Sequence, residues 1–221
     1  MPKNTEKRDE IMRCAYHLFT ENGYKNVFLS DIAQQAGISK SLLQHYFPKK
    51  SELIKSILDE MLSISFEYVE NLVSEQDDLY LRLSVYTRIF WESVSKNEKW
   101  NQFSVNVISH RELLGIWVDT VYRWLISMKD SEAQQVEKRR LKAALTFSIT
   151  GGMEVYLQRE ELHIEVTPIC RQITTSFMEI SYCSDEQIGA TLKRTNDVIK
   201  DLSTDDFKAF CEENINWLDS L

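Results

Sequence analysis

Ser30-Asp-Ile-Ala-Gln-Gln-Ala-Gly-Ile-Ser-Lys-Ser-Leu-Leu-Gln-His-Tyr-Phe47 reads as two short helices joined by a tight turn. Ile32, Ala33 and Ala36 form the inward face of the first, over residues 30–36, and the small alanines let another helix backbone come close. Gly37 supplies the left-handed turn and Ile38 plugs the core beneath it. Ser39 is a suitable N-cap for the second helix. Leu43 and Phe47 of that helix turn inward, which leaves Lys40, Ser41, Gln44 and His45 outside. These are the mechanics of a helix-turn-helix, whose second helix is free to enter a DNA major groove.

Outward from this motif the chain stays helical. Upstream, residues 5–22 place Ile11, Cys14, Ala15, Leu18 and Phe19 on one face, and Gly23 ends the helix. Downstream, Pro48 breaks the chain, and a long helix from Lys49 to beyond Leu62 carries Leu53, Ile54, Ile57, Leu58 and Met61 at helical spacing, as a connector would. Further helices are expected over 78–95, 100–109, 112–128, 131–158, 166–182, 185–202 and 204–218. Six glycines and three prolines in 221 residues leave few breaks, and no period-2 pattern competes, so the fold class is all-α.

The formal charge of −8 is unevenly spread. Residues 1–58 hold nine Lys and Arg against six Asp and Glu, or +3; the remainder holds 17 against 28, or −11. An acidic body with a basic amino-terminal face would meet DNA only through that face. Four cysteines, Cys14, Cys170, Cys183 and Cys211, lie apart among apolar neighbours and read as buried reduced thiols. The charged amino terminus is no secretion signal, and no apolar run reaches the roughly 18 to 20 residues a bilayer requires. A cytoplasmic chain without a membrane partner is expected.

At the level of motifs the sequence resembles the amino-terminal domain of the TetR family of bacterial regulators, whose pattern is an Ile-Ala-x-x-Ala-Gly-Val-Ser core followed by Leu-Tyr-x-His-Phe. Ile32, Ala33, Ala36, Gly37, Ser39, Leu43, Phe47, Lys50 and Leu53 fall in register, as does Phe19-x-x-x-Gly23-Tyr24. The resemblance covers roughly the first 60 residues. It implies a three-helix DNA-binding domain over residues 5–65, with the motif at about 28–47, and a helical effector-binding and dimerisation domain over 66–221. Four positions depart from the pattern. Gln44 replaces a phosphate-binding tyrosine, Phe28 a capping threonine, Leu42 a small or hydroxylated residue, and Lys49 a usual cap.

The resemblance implies contacts to double-stranded DNA from Ser39, Lys40, Ser41, Leu42, Gln44, His45, Tyr46, Lys49 and Lys50. Lys49 and Lys50, at the start of the connector, are the expected phosphate ligands. It also implies a homodimer through helices 132–158 and 166–182, and release by a small hydrophobic or amphipathic effector. Trp91, Phe103, Trp117 and Phe147 are candidates for lining an effector pocket, although aromatics at helical spacing are more often core. The chain beyond Cys183 would extend the dimer or cover the pocket. No cofactor is expected. An enzyme finds no support, since metal spacing, phosphate loop and nucleophile elbow are missing and His17, His45, His110 and His163 lie in different elements. His110 and Glu112, two apart, are expected to face solvent. A protein partner in place of the effector is the rival reading.

Overall fold

Five helices begin where a short oxygen-bearing side chain closes the first turn. Ser39, Asp78, Asn97, Ser184 and Ser203 each accept a backbone N–H two or three residues on. The computed structural model describes residues 2–127 and 135–218. Among them are eleven α-helices, one 3-10 turn and no strand. The order is α1 (Pro2–Asn22), the turn Tyr24–Asn26, α2 (Leu29–Gln35), α3 (Lys40–Tyr46), α4 (Lys50–Leu72), α5 (Leu79–Lys96), α6 (Glu98–Ile108), α7 (Arg111–Ser127), α8 (Gln135–Gln158), α9 (Val166–Ile180), α10 (Asp185–Ile199) and α11 (Thr204–Asn214). The expected segments therefore match in number and order. The expected ends at Met128 and Ser131 lie outside the described residues, and α11 stops at Asn214 instead of Leu218.

One apolar core runs from Ile11 to Leu218 and serves both the head, α1 to α3, and the body, α5 to α11. The expected domain boundary at 65/66 falls inside α4, where Leu62, Ser65, Phe66 and Val69 are all buried. α5 lies at the centre of the body and is covered by α4, α6, α7, α9, α10 and α11. A helix so enclosed must bury polar groups too, and Arg82 is the costliest of them. Its Nε sits 3.1 Å from Glu70 Oε2, and its other nitrogens donate to Ser74 O and Asp77 O. Glu70 also accepts from Trp124 Nε1 at 3.1 Å, so the α4–α5 corner is closed by satisfied charge.

The head meets the body at α6. Asn106 Nδ2 donates to Phe19 O at 3.1 Å, a carbonyl of the last turn of α1 that also accepts from Gly23 N at 3.1 Å. Gly23, at φ 77°, makes room for this, since a Cβ there would lie 3.2 Å from Asn106 Oδ1. His110 corrects the expectation of an exposed side chain. Both its ring nitrogens are buried without a hydrogen-bond partner, and the ring meets Tyr24 edge-on at 5.6 Å. The joint buries it, which spacing along one helix cannot reveal.

The segment after Cys183 folds back over the connector. α10 docks on α5, and α11 docks on α4 and α5. Phe207 inserts beside Tyr68 at 5.1 Å and Trp100 at 6.0 Å between ring centroids. Beyond α11, Trp217 reaches the head and packs 5.6 Å from Tyr16, while Arg13 Nη2 donates to Asn216 O at 3.4 Å. Full burial of the Phe207 ring stabilises the fold by about 1.5–3 kcal/mol, whereas Trp217 buries its Nε1 without a hydrogen-bond partner, which offsets part of its gain. Of the cysteines, Cys170 and Cys211 are buried as expected, whereas Cys14 and Cys183 are only half-buried. Burial pushes the Cys170 thiol up, and that of Cys211 to about 12, so both are held protonated at neutral pH.

Candidate nucleic-acid interface

The turn between α2 and α3 is fixed by backbone alone. Gly37 N donates to Gln34 O at 3.1 Å and Ile38 N to Ala33 O at 2.9 Å, the paired bonds of a Schellman ending. Gly37 stands at φ 61°, with nothing within 4 Å of where a Cβ would be, so its requirement is one of conformation and not of space. Ser39 Oγ then accepts from Leu42 N at 3.1 Å and starts α3. Leu43 and Phe47 are buried beneath it. α2 starts with only half a cap: Asp31 accepts from Phe28 N at 2.8 Å, but Phe28 has no side-chain oxygen to return the bond. Phe28 is 64% exposed, and Leu42 of α3 is exposed too, at 41%, so the head presents two apolar points among its polar ones.

Ser39, Lys40, Ser41, Leu42, Gln44 and His45 all lie on the exposed side of α3. Tyr46 is half-buried and meets the His45 ring edge-on at 5.8 Å. Lys49 is exposed just before α4, and its side chain makes no capping bond. Lys50 differs from this expected phosphate partner. Its ammonium donates to Tyr24 O at 2.6 Å and Val27 O at 2.8 Å and lies 4.2 Å from the centre of the Tyr24 ring. Burial lowers the Lys50 pKa, with the Asp31 charge acting in the opposite sense. Lys50 thus ties the loop before α2 to the start of α4. Sequence reading passed over Tyr24 as anything but a pattern match, although it is the ring on which both Lys50 and His110 rest. It also passed over Lys25, which is exposed in the 3-10 turn and adds charge to the head.

The body does not gather the four aromatic candidates around one pocket. Trp91, Phe103 and Trp117 are buried, and line none of the cavities described below. Trp91 and Trp117 stack at 5.3 Å, and Trp117 Nε1 donates to Tyr86 Oη at 3.0 Å. Phe103 faces the head, 4.8 Å from Tyr16. Phe147 is 67% exposed on α8. It borders two grooves, one of about 820 Å³ against α7 and one of about 320 Å³ against α9. A separate cleft of about 550 Å³ lies between α4 and α7. Its walls include Phe66 and Trp124, stacked at 4.2 Å, with Asp59, Glu67, Glu70 and Arg123 around them.

Residues 11–57 match the family model of bacterial regulatory proteins, tetR family. Over 218 residues the chain is 22% identical to the HTH-type transcriptional regulator YuxN of Bacillus subtilis (strain 168), covering 95% of this chain and 66% of that protein. It is 35% identical over 66 residues to IcaR of Staphylococcus aureus (strain Newman), the HTH-type negative transcriptional regulator of the biofilm operon icaADBC. That alignment covers 30% of this chain and 33% of IcaR, so the chain spans less than two thirds of either relative. Among solved structures, the Thermus thermophilus FadR repressor in complex with lauroyl-CoA superposes with a TM-score of 0.51 at 15% identity, over 80% of this chain and 95% of FadR. The likeness to FadR is one of fold.

Proposed function

We propose that the chain, whose residues 11–57 match the family model of bacterial regulatory proteins, tetR family, is a transcriptional repressor that binds palindromic operator DNA as a homodimer and releases it when a small, largely apolar or amphipathic effector binds. The observation that carries this is α3 itself, a short helix capped by Ser39, anchored by Leu43, and lined on its free side by Lys40, Ser41, Leu42, Gln44 and His45. Gln44 suits an adenine edge or a phosphate, and Leu42 a thymine methyl group. Lys49, whose ammonium is exposed, is the phosphate ligand of the pair. Lys50 acts by positioning, with at most one N–H left for DNA once two carbonyls have taken theirs. Tyr46 bridges core and backbone, and the Ser39 hydroxyl keeps its proton to donate.

Two recognition helices must be set about 34–36 Å apart to read one turn of DNA. The face for a second copy is taken to be α8 and α9, and on α8 the residues Ala143, Thr146, Phe147, Thr150 and Gly151 are all exposed. Within the monomer a Cβ on Gly151 would meet nothing within 4 Å, whereas one on Gly152 would lie 2.3 Å from Ile173. One glycine thus serves the α8–α9 contact and leaves the other for a partner. The effector is assigned to the α4–α7 cleft, because its occupant would touch α4, the helix that follows α3 in the chain and leads from the head into the body. The same fold holds lauroyl-CoA in the Thermus protein. One observation favours control by a protein partner instead: the dense packing of Trp91, Phe103 and Trp117, which leaves the expected aromatic pocket filled.

Fluorescence anisotropy with a palindromic duplex from upstream of the chain's own gene, at low salt, tests the reading. Binding that a hydrophobic compound reverses supports the repressor. Binding that no compound affects favours the partner, and no binding overturns both.

A further inference from the structure

A cavity of about 410 Å³ lies where α5, α9 and α10 meet, away from both the DNA-facing helix and the α4–α7 cleft. Three cations from three helices line it: Arg88 of α5, Arg171 of α9 and Lys193 of α10. The charge is unusual for its setting, since residues 59–221 carry a net −11. Only Arg88 is compensated. Its Nε lies 2.7 Å from Glu92 Oε1, which also accepts from Thr167 Oγ1 at 2.6 Å, and its Nη1 donates to Asn196 Oδ1 at 3.3 Å. Arg171 and Lys193 have no ion-pair partner among the described residues. Counting Glu92, the cavity holds two uncompensated positive charges. The remaining donors suit an acceptor as well. The Asn196 oxygen is taken by Arg88, which leaves its amide N–H groups to donate, and Lys193 adds its ammonium, whereas the Thr167 hydroxyl already donates to Glu92.

The floor is rigid. Thr195 and Ser84 are both buried, their hydroxyl oxygens are 2.8 Å apart, and they pin α10 to α5. The guanidinium of Arg88 is mostly shielded and held in place by Glu92 and Asn196, so one wall is set before any ligand arrives. Like charges that converge on one cavity repel each other, and an anion with several oxygens would relieve this while accepting from guanidinium and ammonium at once. The space exceeds that of a lone phosphate and falls in the ordinary range for small-molecule sites, roughly 300–1,000 Å³.

We propose that the α5–α9–α10 cavity binds a small, multiply charged anion, an organic phosphate or a polycarboxylate, through Arg88, Arg171 and Lys193. Such a ligand would tie α10 to α5 and α9, and α10 leads through α11 to the Trp217–Tyr16 contact on the head. Binding itself does not depend on the DNA-binding reading.

Isothermal titration calorimetry of the full chain, with pyrophosphate in one arm and citrate in the other at matched ionic strength, tests this. Saturable binding of one ligand per chain is expected in at least one arm, and the responsive arm tells phosphate from carboxylate. The double variant Arg171→Ala with Lys193→Ala removes two exposed, unpaired side chains, and should keep the far-UV spectrum while it weakens binding at least about tenfold. Thermal unfolding gives a second readout: the responsive anion raises the midpoint of the native chain and not that of the variant. Heat no greater than sodium chloride produces at equal ionic strength, or an unchanged affinity in the double variant, would overturn the site.

Discussion

Head and body are built from the same element, yet they carry their information on opposite sides. In the head the buried residues are ordinary, Ala33, Leu43 and Phe47, and the positions particular to this chain, Phe28, Leu42, Gln44 and Lys49, are exposed on α3 and the segments that flank it. The body is acidic overall, and most of its particular residues are buried, the rings packed around α5, with Trp117 against Phe90, Trp91 and Tyr86. A short helix can present a reading face only if its framework is conservative. A large helical body gains its rigidity from shape-specific packing of bulky side chains.

If that division is right, perturbations should separate stability from DNA binding. The largest effect belongs to the body. Trp117→Ala leaves a cavity in the ring cluster and orphans the Tyr86 hydroxyl, so urea unfolding should show a loss of about 3–5 kcal/mol. Next, Gly152→Ala sets a Cβ 2.3 Å from Ile173 and should cost about 1–3 kcal/mol, read as a lowered melting temperature. Its neighbour is the control, for Gly151→Ala meets nothing and should raise monomer stability by roughly 0.5–1 kcal/mol. A loss of dimer in that second variant, seen by sedimentation, would place the partner's backbone against Gly151.

In the head the effects are smaller and differ in kind. Gly37→Ala forces an alanine to φ 61° at a cost of about 1–2 kcal/mol, and DNA affinity should fall with it. The two lysines make the finest test. Lys50→Met removes charged hydrogen bonds to Tyr24 O and Val27 O and should lower stability by about 1–2 kcal/mol. Lys49→Ala should leave stability alone and reduce the salt slope of DNA binding by about one phosphate contact. Should both variants change only the salt slope, Lys50 would be a DNA ligand after all and its carbonyl contacts incidental.

What could be read beforehand follows the same division. The turn at Gly37, the cap at Ser39 and the inward pair Leu43 and Phe47 are local features, set by neighbours within a few positions. So are the caps Asp78 and Ser184. Lys50 could not be read this way, because the carbonyls it binds lie 26 and 23 residues upstream. His110 was misplaced for a like reason, since its burial is imposed by Tyr24 across the head–body joint. The aromatic candidates show the limit most plainly. Their spacing marked Trp91 and Trp117 as inward, but inward-facing rings line a pocket or fill it depending on their neighbours, and here they fill it. The cationic cavity drew no notice at all, as Arg88, Arg171 and Lys193 come from three separate helices.

The contact of Arg13 with Asn216 spans 203 residues of sequence, and Trp217 rests on Tyr16 beside it. A chain made from its amino end must therefore build its first helix long before one wall of that helix exists. Closing so wide a loop is slow compared with forming the local turns around Gly37. The reading head would be the first part shaped and among the last made firm, and a nascent chain stalled in α10 would carry a recognition helix on an unfinished support.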